Sequence, residues 1–325
     1  MSANYAICIG TIGSGLWRSS DGGDSWKRSQ NEGGLWSESR VYGLSVHPTE
    51  PQTIFAGADD GIYKSTDGGQ SFARLDSPMN AMDVWKIAID PTNPDIIFAG
   101  TRPAALYRTK DGGKSWTQLK VDMAEECPNV RIPRVTALVV DPSNPRTVWA
   151  GVEVDGVRRS LDGGDSWTRI TEGVPDPDIH DVTINLNGSR KVLTTTPREI
   201  FATTDSGEHW TPLGVGEQFR LPYCRALTQK IDDPKTLFVA TGDGAVGKTG
   251  AIQRSRDGGS KWEAAKLPVE PNSPIWTFAV HPANPDRIVS CSHYGELYAT
   301  EDAGDTWRKL PREFTEIRAL SWLPN

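Results

Sequence analysis

Seven copies of one short turn, spaced almost evenly through the sequence, limit what this chain can become more than any other feature. They are SSDGGDSW (19–26), STDGGQSF (65–72), TKDGGKSW (109–116), SLDGGDSW (160–167), TTDSGEHW (203–210), SRDGGSKW (255–262) and TEDAGDTW (300–307). Their central acids, Asp21, Asp67, Asp111, Asp162, Asp205, Asp257 and Asp302, lie 46, 44, 51, 43, 52 and 45 residues apart. That period is the span of four short strands with their turns, one propeller blade. A ring of such units accommodates 325 residues without a second domain, because each unit needs only its neighbours to bury its faces.

The motif explains itself locally. An aspartate can accept backbone N–H groups in its own turn. The second residue after it is glycine in all seven copies, as expected where φ is positive. The closing Trp or Phe offers a large apolar plate to a neighbouring sheet. These seven carboxylates are therefore read as structural rather than catalytic.

Around each turn the same grammar repeats. Residues 134–140 form a β-rich run, 141–145 (DPSNP) a turn, and 147–151, 157–160 and 166–170 three further strands. We name the four strands A to D, with the Asp-box joining C to D. DPTNP (90–94) and HPANP (281–285) repeat the A–B turn. Residues 3–29 supply only B, C and D, whereas 316–322 (EIRALSW) read as an A strand with nothing after it. The last strand should complete the first blade and leave no open edge. The expectation is an all-β, single-domain, seven-bladed β-propeller of four-stranded antiparallel blades over residues 1–325. Blade 1 comes from 3–29 plus 316–322, and blades 2–7 lie between 40 and 310.

Composition narrows the partners. The net charge is −7 with no basic run, which argues against nucleic acid or an anionic membrane. The first ten residues carry no signal-peptide pattern and no apolar stretch long enough to span a bilayer. Cys8, Cys127, Cys224 and Cys291 stand singly, so neither a zinc site nor a disulfide framework is indicated. Free thiols in the cytoplasm, no cofactor and no metal are the expectations.

The pattern DPxNPxxxxAGT followed by GxYx[S/T]xDGGxSW resembles the Asp-box (BNR-repeat) propellers over essentially the whole chain. These include sialidases, xyloglucanase-type glycoside hydrolases, sortilin-type receptors and photosystem II assembly factors. The resemblance implies the fold and leaves function open, since the superfamily holds both enzymes and binders. Sialidases are six-bladed with an Arg-Ile-Pro motif before the first box, whereas Arg131-Ile132-Pro133 precedes the fourth box here. Xyloglucanase-type enzymes pair two propellers around a cleft, and this sequence holds one set of repeats. Sortilin-type receptors add a disulfide-rich module not found in this sequence. No catalytic residue carries over position by position.

Strand alternation puts the A–B turns and Asp-boxes on one face and the D–A and B–C connections on the other. The second face has the irregular segments 29–39, 120–133, 214–222 and 241–249, and function favours variable loops on a rigid frame. An apolar column, Leu44, Ile87, Leu138, Val182, Leu227, Phe278 and Leu320, fixes the register of the seven A strands. Two residues earlier stand Tyr42, Trp85, Thr136, His180, Arg225, Trp276 and Arg318. Two earlier again stand Arg40, Asp83, Arg134, Asp178, Tyr223, Pro274 and Glu316. The B–C connections add Asp59, Asp60, Arg102, Glu153, Asp155, Arg198, Lys248, His293 and Tyr294, and Trp36 falls in a D–A connection.

Such columns should converge on the channel mouth. Arg40, Arg102, Arg134, Arg225 and Arg318 would hold a carboxylate, sulfate or phosphate. Trp36, Tyr42, Trp85 and Trp276 would offer stacking surfaces. His180 and His293 would act as general base or acid, with Tyr223 or Tyr294 donating a proton, an arrangement suited to a lyase. Glu153 and Glu316 are the acids for hydrolysis instead. A small anionic molecule or oligosaccharide is the expected ligand. The alternative is a non-catalytic scaffold with a protein partner, its arginines neutralised by internal acids.

Overall fold

The computed structural model describes residues 5–30, 35–185 and 191–325. Positions 3 and 4 of the expected first blade, and 31–34 of the irregular segment after it, lie outside the described residues. Seven four-stranded antiparallel sheets make up the fold. In blade 4 the strands are Val135–Val140, Val148–Val152, Gly156–Ser160 and Thr168–Arg169. The outermost strand is thus shorter than the sequence suggests, because the exposed blade edge pairs over only two residues.

The ring closes as the sequence implies. Ile317–Pro324 runs antiparallel to Tyr5–Thr11, with Tyr5 opposite Pro324 and Ile9 opposite Leu320. The A strands of successive blades touch one another all the way round and form the channel wall.

Each Asp-box is a closed hydrogen-bonded unit. In the first, Ser25 N–H and Ser25 Oγ donate to the Asp21 carboxylate at 2.9 and 2.6 Å. Ser19 Oγ donates to it at 2.7 Å and accepts from Gly23 N–H at 2.8 Å. Gly23 has φ 100°, and a Cβ there would lie 2.4 Å from Leu310 Cδ1 of the preceding blade. Glycine is therefore required twice over, by conformation and by the close approach. The closing aromatics pack on the preceding blade, as Trp210 does edge-on against Trp149 at 6.2 Å.

Backbone contacts fix the two faces. Gly22, Gly68, Gly112, Gly163 and Gly258 N–H donate to Tyr5, Gln52, Asp95, Arg146 and Lys235 carbonyls, tying boxes to the A–B side. On the opposite face Asp59, Glu153 and His293 N–H donate to Arg40, Arg134 and Pro274 carbonyls, joining B–C connections to the heads of the A strands.

All seven box carboxylates are held below the ordinary aspartate range, Asp21 at about 2. Partial burial opposes this at Asp21, Asp67 and Asp302, and the donated hydrogen bonds outweigh it. The native state then binds fewer protons than the unfolded chain. Its advantage is complete above the ordinary aspartate pKa of about 3.9 and disappears as the pH falls below it. Acid titration of stability should therefore show a steep loss beginning near pH ~4. Asp67→Ala, which removes four hydrogen bonds, should cost about 1–2 kcal/mol in urea denaturation at neutral pH.

Candidate functional site

The heads of the A strands carry a feature that alternation alone does not disclose. Pairing with the B strand skips Tyr42, Trp85, Thr136, Arg225, Trp276 and Arg318, each at a β-bulge. These are six of the seven members of the variable column. A bulge inserts a residue and re-aims its side chain. The seventh, His180, immediately precedes the strand Asp181–Asn185 and donates its N–H to Thr195 O at 2.8 Å.

Six of these heads supply a compact aromatic–cation cluster. Trp276 lies under three groups: the Arg225 and Arg318 guanidinium carbons at 4.1 and 4.2 Å from the ring centre, and the His293 ring stacked at 4.3 Å. His293 in turn stacks on Tyr294 at 4.7 Å. Trp85 stacks on Tyr42 at 4.3 Å and takes Arg134 at 4.0 Å and Arg318 at 5.8 Å. Arg318, from blade 1, thus reaches tryptophans on blades 3 and 7. On blade 5, His180 Nδ1 donates to Cys224 O at 2.6 Å, leaving Nε2 3.4 Å from Asp178 Oδ2. Tyr223 packs against that imidazole at 5.2 Å.

Two arginines have acid partners. Arg134 Nη2 meets Glu153 Oε1 at 2.5 Å, and Arg318 pairs with Glu316, which also lies 3.1 Å from His293 Nε2. Arg225 has no ion pair and its guanidinium no hydrogen bond among the described residues, although it is 7% exposed. Arg134 Nε, Arg318 Nη1, His293 Nδ1 and Asp178 Oδ1 are buried without a hydrogen-bond partner.

Burial pushes Arg134 down to about 10 against the pull of Glu153, and Arg225, Arg318 and Arg102 add to the push. It lowers Arg318 in the same way, with Glu316 opposing and Arg225 reinforcing. His293 is held low by burial although Glu316 draws it up. Burial would raise Glu316 and Asp178, but His293 and Arg318, and His180 with Arg225 and Arg134, hold them below the usual carboxylate range. Burial raises Tyr223.

Not every expected residue joins the cluster. Trp36 is 58% exposed; it rides on a D–A connection rather than on a bulged strand head, and so stays at the rim. Arg40 is exposed too; its N–H donates to Asp59 Oδ1 at 3.2 Å, and its side chain reaches Tyr42 and Asp83 at the edge of the cluster. Arg102, opposite Asp83 in the strand register, is half-buried beside the mouth.

Two residues escaped sequence reasoning. Lys86 and Asp181 lie one position further along their A strands, and their charges interact across the channel wall. Burial lowers Lys86 and raises Asp181, each opposed by the other. Asp181 accepts N–H groups from Val182 and Leu227 at 2.9 and 3.0 Å. The signal was present: this column reads Gly43, Lys86, Ala137, Asp181, Ala226, Thr277 and Ala319, small residues broken only by two opposite charges. No group of three or more metal-ligating side chains occurs among the described residues.

A family model described as "Photosynthesis system II assembly factor YCF48" matches residues 147–316, just over half of the chain. The chain belongs to this family. A second model, "Sortilin, neurotensin receptor 3", matches residues 14–132. A xyloglucanase of Paenibacillus sp. is 29% identical over 288 residues, covering 82% of this chain and 25% of that protein. The chain therefore spans about a quarter of that relative's length. Among solved structures, the xyloglucanase of Xanthomonas campestris superposes with TM-score 0.66 at 18% identity, over 94% of this chain and 46% of that one. The structure titled "YCF48 bound to D1 peptide" superposes with TM-score 0.58 at 16% identity, over 85% of each chain. Family membership and both superpositions agree with the propeller, and the relatives include both hydrolases and assembly factors.

Removing one partner of a buried ion pair strands the other charge. Glu153→Ala should therefore destabilise the protein by about 3 kcal/mol, read as a lowered urea midpoint, and Arg134→Met added to it should recover most of that loss.

Proposed function

We propose that this propeller is a binding module that takes an acidic ligand at the mouth opposite the Asp-boxes, through a carboxylate on a peptide or a small organic acid. The observation that carries this reading is Arg225: its guanidinium lies on the face of Trp276, beside Arg318, with no acid partner among the described residues, in a residue only 7% exposed. Two more unpartnered N–H groups, on Arg134 and Arg318, lie in the same cluster. An incoming carboxylate supplies the missing acceptor in the bidentate geometry that guanidinium favours. Membership of the assembly-factor family supports a peptide as the carrier of that carboxylate. The arrangement supports binding better than elimination chemistry. His293 and Tyr294 stack face to face, which packs the imidazole rather than handing it a proton.

Arg225→Met keeps an unbranched apolar stem against Trp276 while removing the charge. Calorimetric titration with citrate and with short acidic peptides should show binding at least tenfold weaker in this variant, with an unchanged melting temperature. Undiminished binding would remove Arg225 from the site, and no saturable binding by the wild type would sink the reading.

One observation favours hydrolysis as a second reading. Asp83 is a carboxyl at the mouth held above its ordinary value, by burial and by nearby Asp59, against Arg102. A carboxyl held above its ordinary value is the direction glycoside hydrolysis asks of its general acid, and the xyloglucanase similarity points to the substrate class. Glu153 and Glu316 fit that role poorly, since both are ion-paired. If the protein releases reducing ends from xyloglucan oligosaccharides, Asp83→Asn should lower kcat by at least 100-fold with folding intact. An inactive wild type would leave binding as the function.

A further inference from the structure

A second cavity lies at the other end of the channel, on the Asp-box face, where the A strands of blades 7, 1 and 2 meet the A–B turns of blades 7 and 2. It encloses about 390 Å³. Leu44, Phe278, Leu320 and Trp322 form apolar wall, and the polar residues Ser45, Ser321, His47 and His281 also line it. It shares no residue with the arginine cluster, and no Asp, Glu, Lys or Arg lines it.

The two histidines are unusual members of their turns. Blades 3 and 4 have aspartate at this position, and Asp90 and Asp141 cap the turn by accepting Thr92 and Ser143 N–H at 2.8 and 2.9 Å. His281 Nδ1 takes over that role from Ala283 N–H at 3.1 Å, and His47 Nδ1 does so from Glu50 N–H at 3.1 Å. The cap is therefore conserved in kind, but an imidazole has a second nitrogen that a carboxylate lacks. A backbone N–H can only donate, so Nδ1 presents its lone pair and the neutral ring carries its proton on Nε2. Neither Nε2 has a protein partner among the described residues. Between the two turns, Ser321 Oγ is buried without a hydrogen-bond partner, its residue 7% exposed.

This chemistry selects its ligand. Two N–H donors and a hydroxyl ask for an acceptor. A metal ion would need the Nε2 lone pair, which the turn-capping tautomer replaces with a proton. A cationic ligand would find no carboxylate. The apolar walls ask for a compact hydrocarbon body. We infer that the cavity between blades 7, 1 and 2 is a second ligand site, and that it takes a small carboxylate with an apolar body, its oxygens on His47 Nε2, His281 Nε2 and Ser321 Oγ.

Benzoate is the probe, titrated by calorimetry into the protein carrying Arg225→Met, so that the arginine mouth does not contribute. Saturable one-site binding is expected, with benzyl alcohol at least tenfold weaker. Ser321→Ala should weaken benzoate about tenfold. His281→Asp should abolish binding with an unchanged melting temperature, because aspartate already caps this turn in two blades while its charge repels the ligand. If His281→Asp does not fold, Ser321→Ala still decides the case. The inference is overturned if benzoate does not saturate, if benzyl alcohol binds equally well, or if neither variant weakens binding. Stoichiometric zinc binding that is lost with His281→Asp would overturn it too, by showing the other tautomer. Because the mouth is disabled throughout, failure here leaves the reading of Arg225 untouched.

Discussion

The pairing of Ile317–Pro324 with Tyr5–Thr11 is the contact on which the rest depends. Without it two sheet edges would be free and nothing would fix the distance across the channel. With it, the A strands become staves of one closed wall, and residues from distant parts of the sequence meet. Arg318, seven residues from the end of the chain, touches Trp85 and Trp276. The spacing between blades is set by something more local, the glycine of each Asp-box. Gly23, Gly207 and Gly304 would all drive a Cβ into a side chain of the preceding blade. A hydrogen-bonded turn thus doubles as a spacer between neighbouring blades.

Within that mouth, positive charge is tolerated by means other than simple neutralisation. Glu153 and Glu316 answer Arg134 and Arg318, while Arg225 rests on the electron-rich face of Trp276. A guanidinium is more weakly hydrated than an ammonium and stacks well, so it survives in such a setting. Lys86, an ammonium, is half-buried in the wall with Asp181 as its counter-charge. The cluster is consequently stable enough to exist without ligand and still holds unmet donors.

Much of this was legible in the sequence, and the reasons are physical. The box repeats encode fold, blade count and closure because the same backbone requirements recur seven times. The strand-head column was readable because homologous positions in a ring must face the same axis, which is why Trp85, Arg134, Arg225, Trp276 and Arg318 were found together. The bulges were hidden, since an inserted residue leaves no mark in the alternation of Val41–Val46 or Ile275–Val280. Trp36 misled because a loop residue shares a face with the strand heads without sharing their geometry. The pairing of particular acids with particular arginines depends on rotamers that spacing does not specify, and the imidazole tautomers at His47 and His281 depend on which nitrogen meets an amide.

The bulge has an implication for how such a protein can change. Downstream of it, side chains obey the packing between blades, where Leu44, Ile87 and Leu227 admit few replacements. Upstream, the inserted residue breaks the obligation, so its side chain answers only to the axis. Chemistry at the mouth can therefore be rewritten one blade at a time, Trp for Arg or His for Tyr, with the walls left as they were. A ring built this way separates its architecture from its vocabulary.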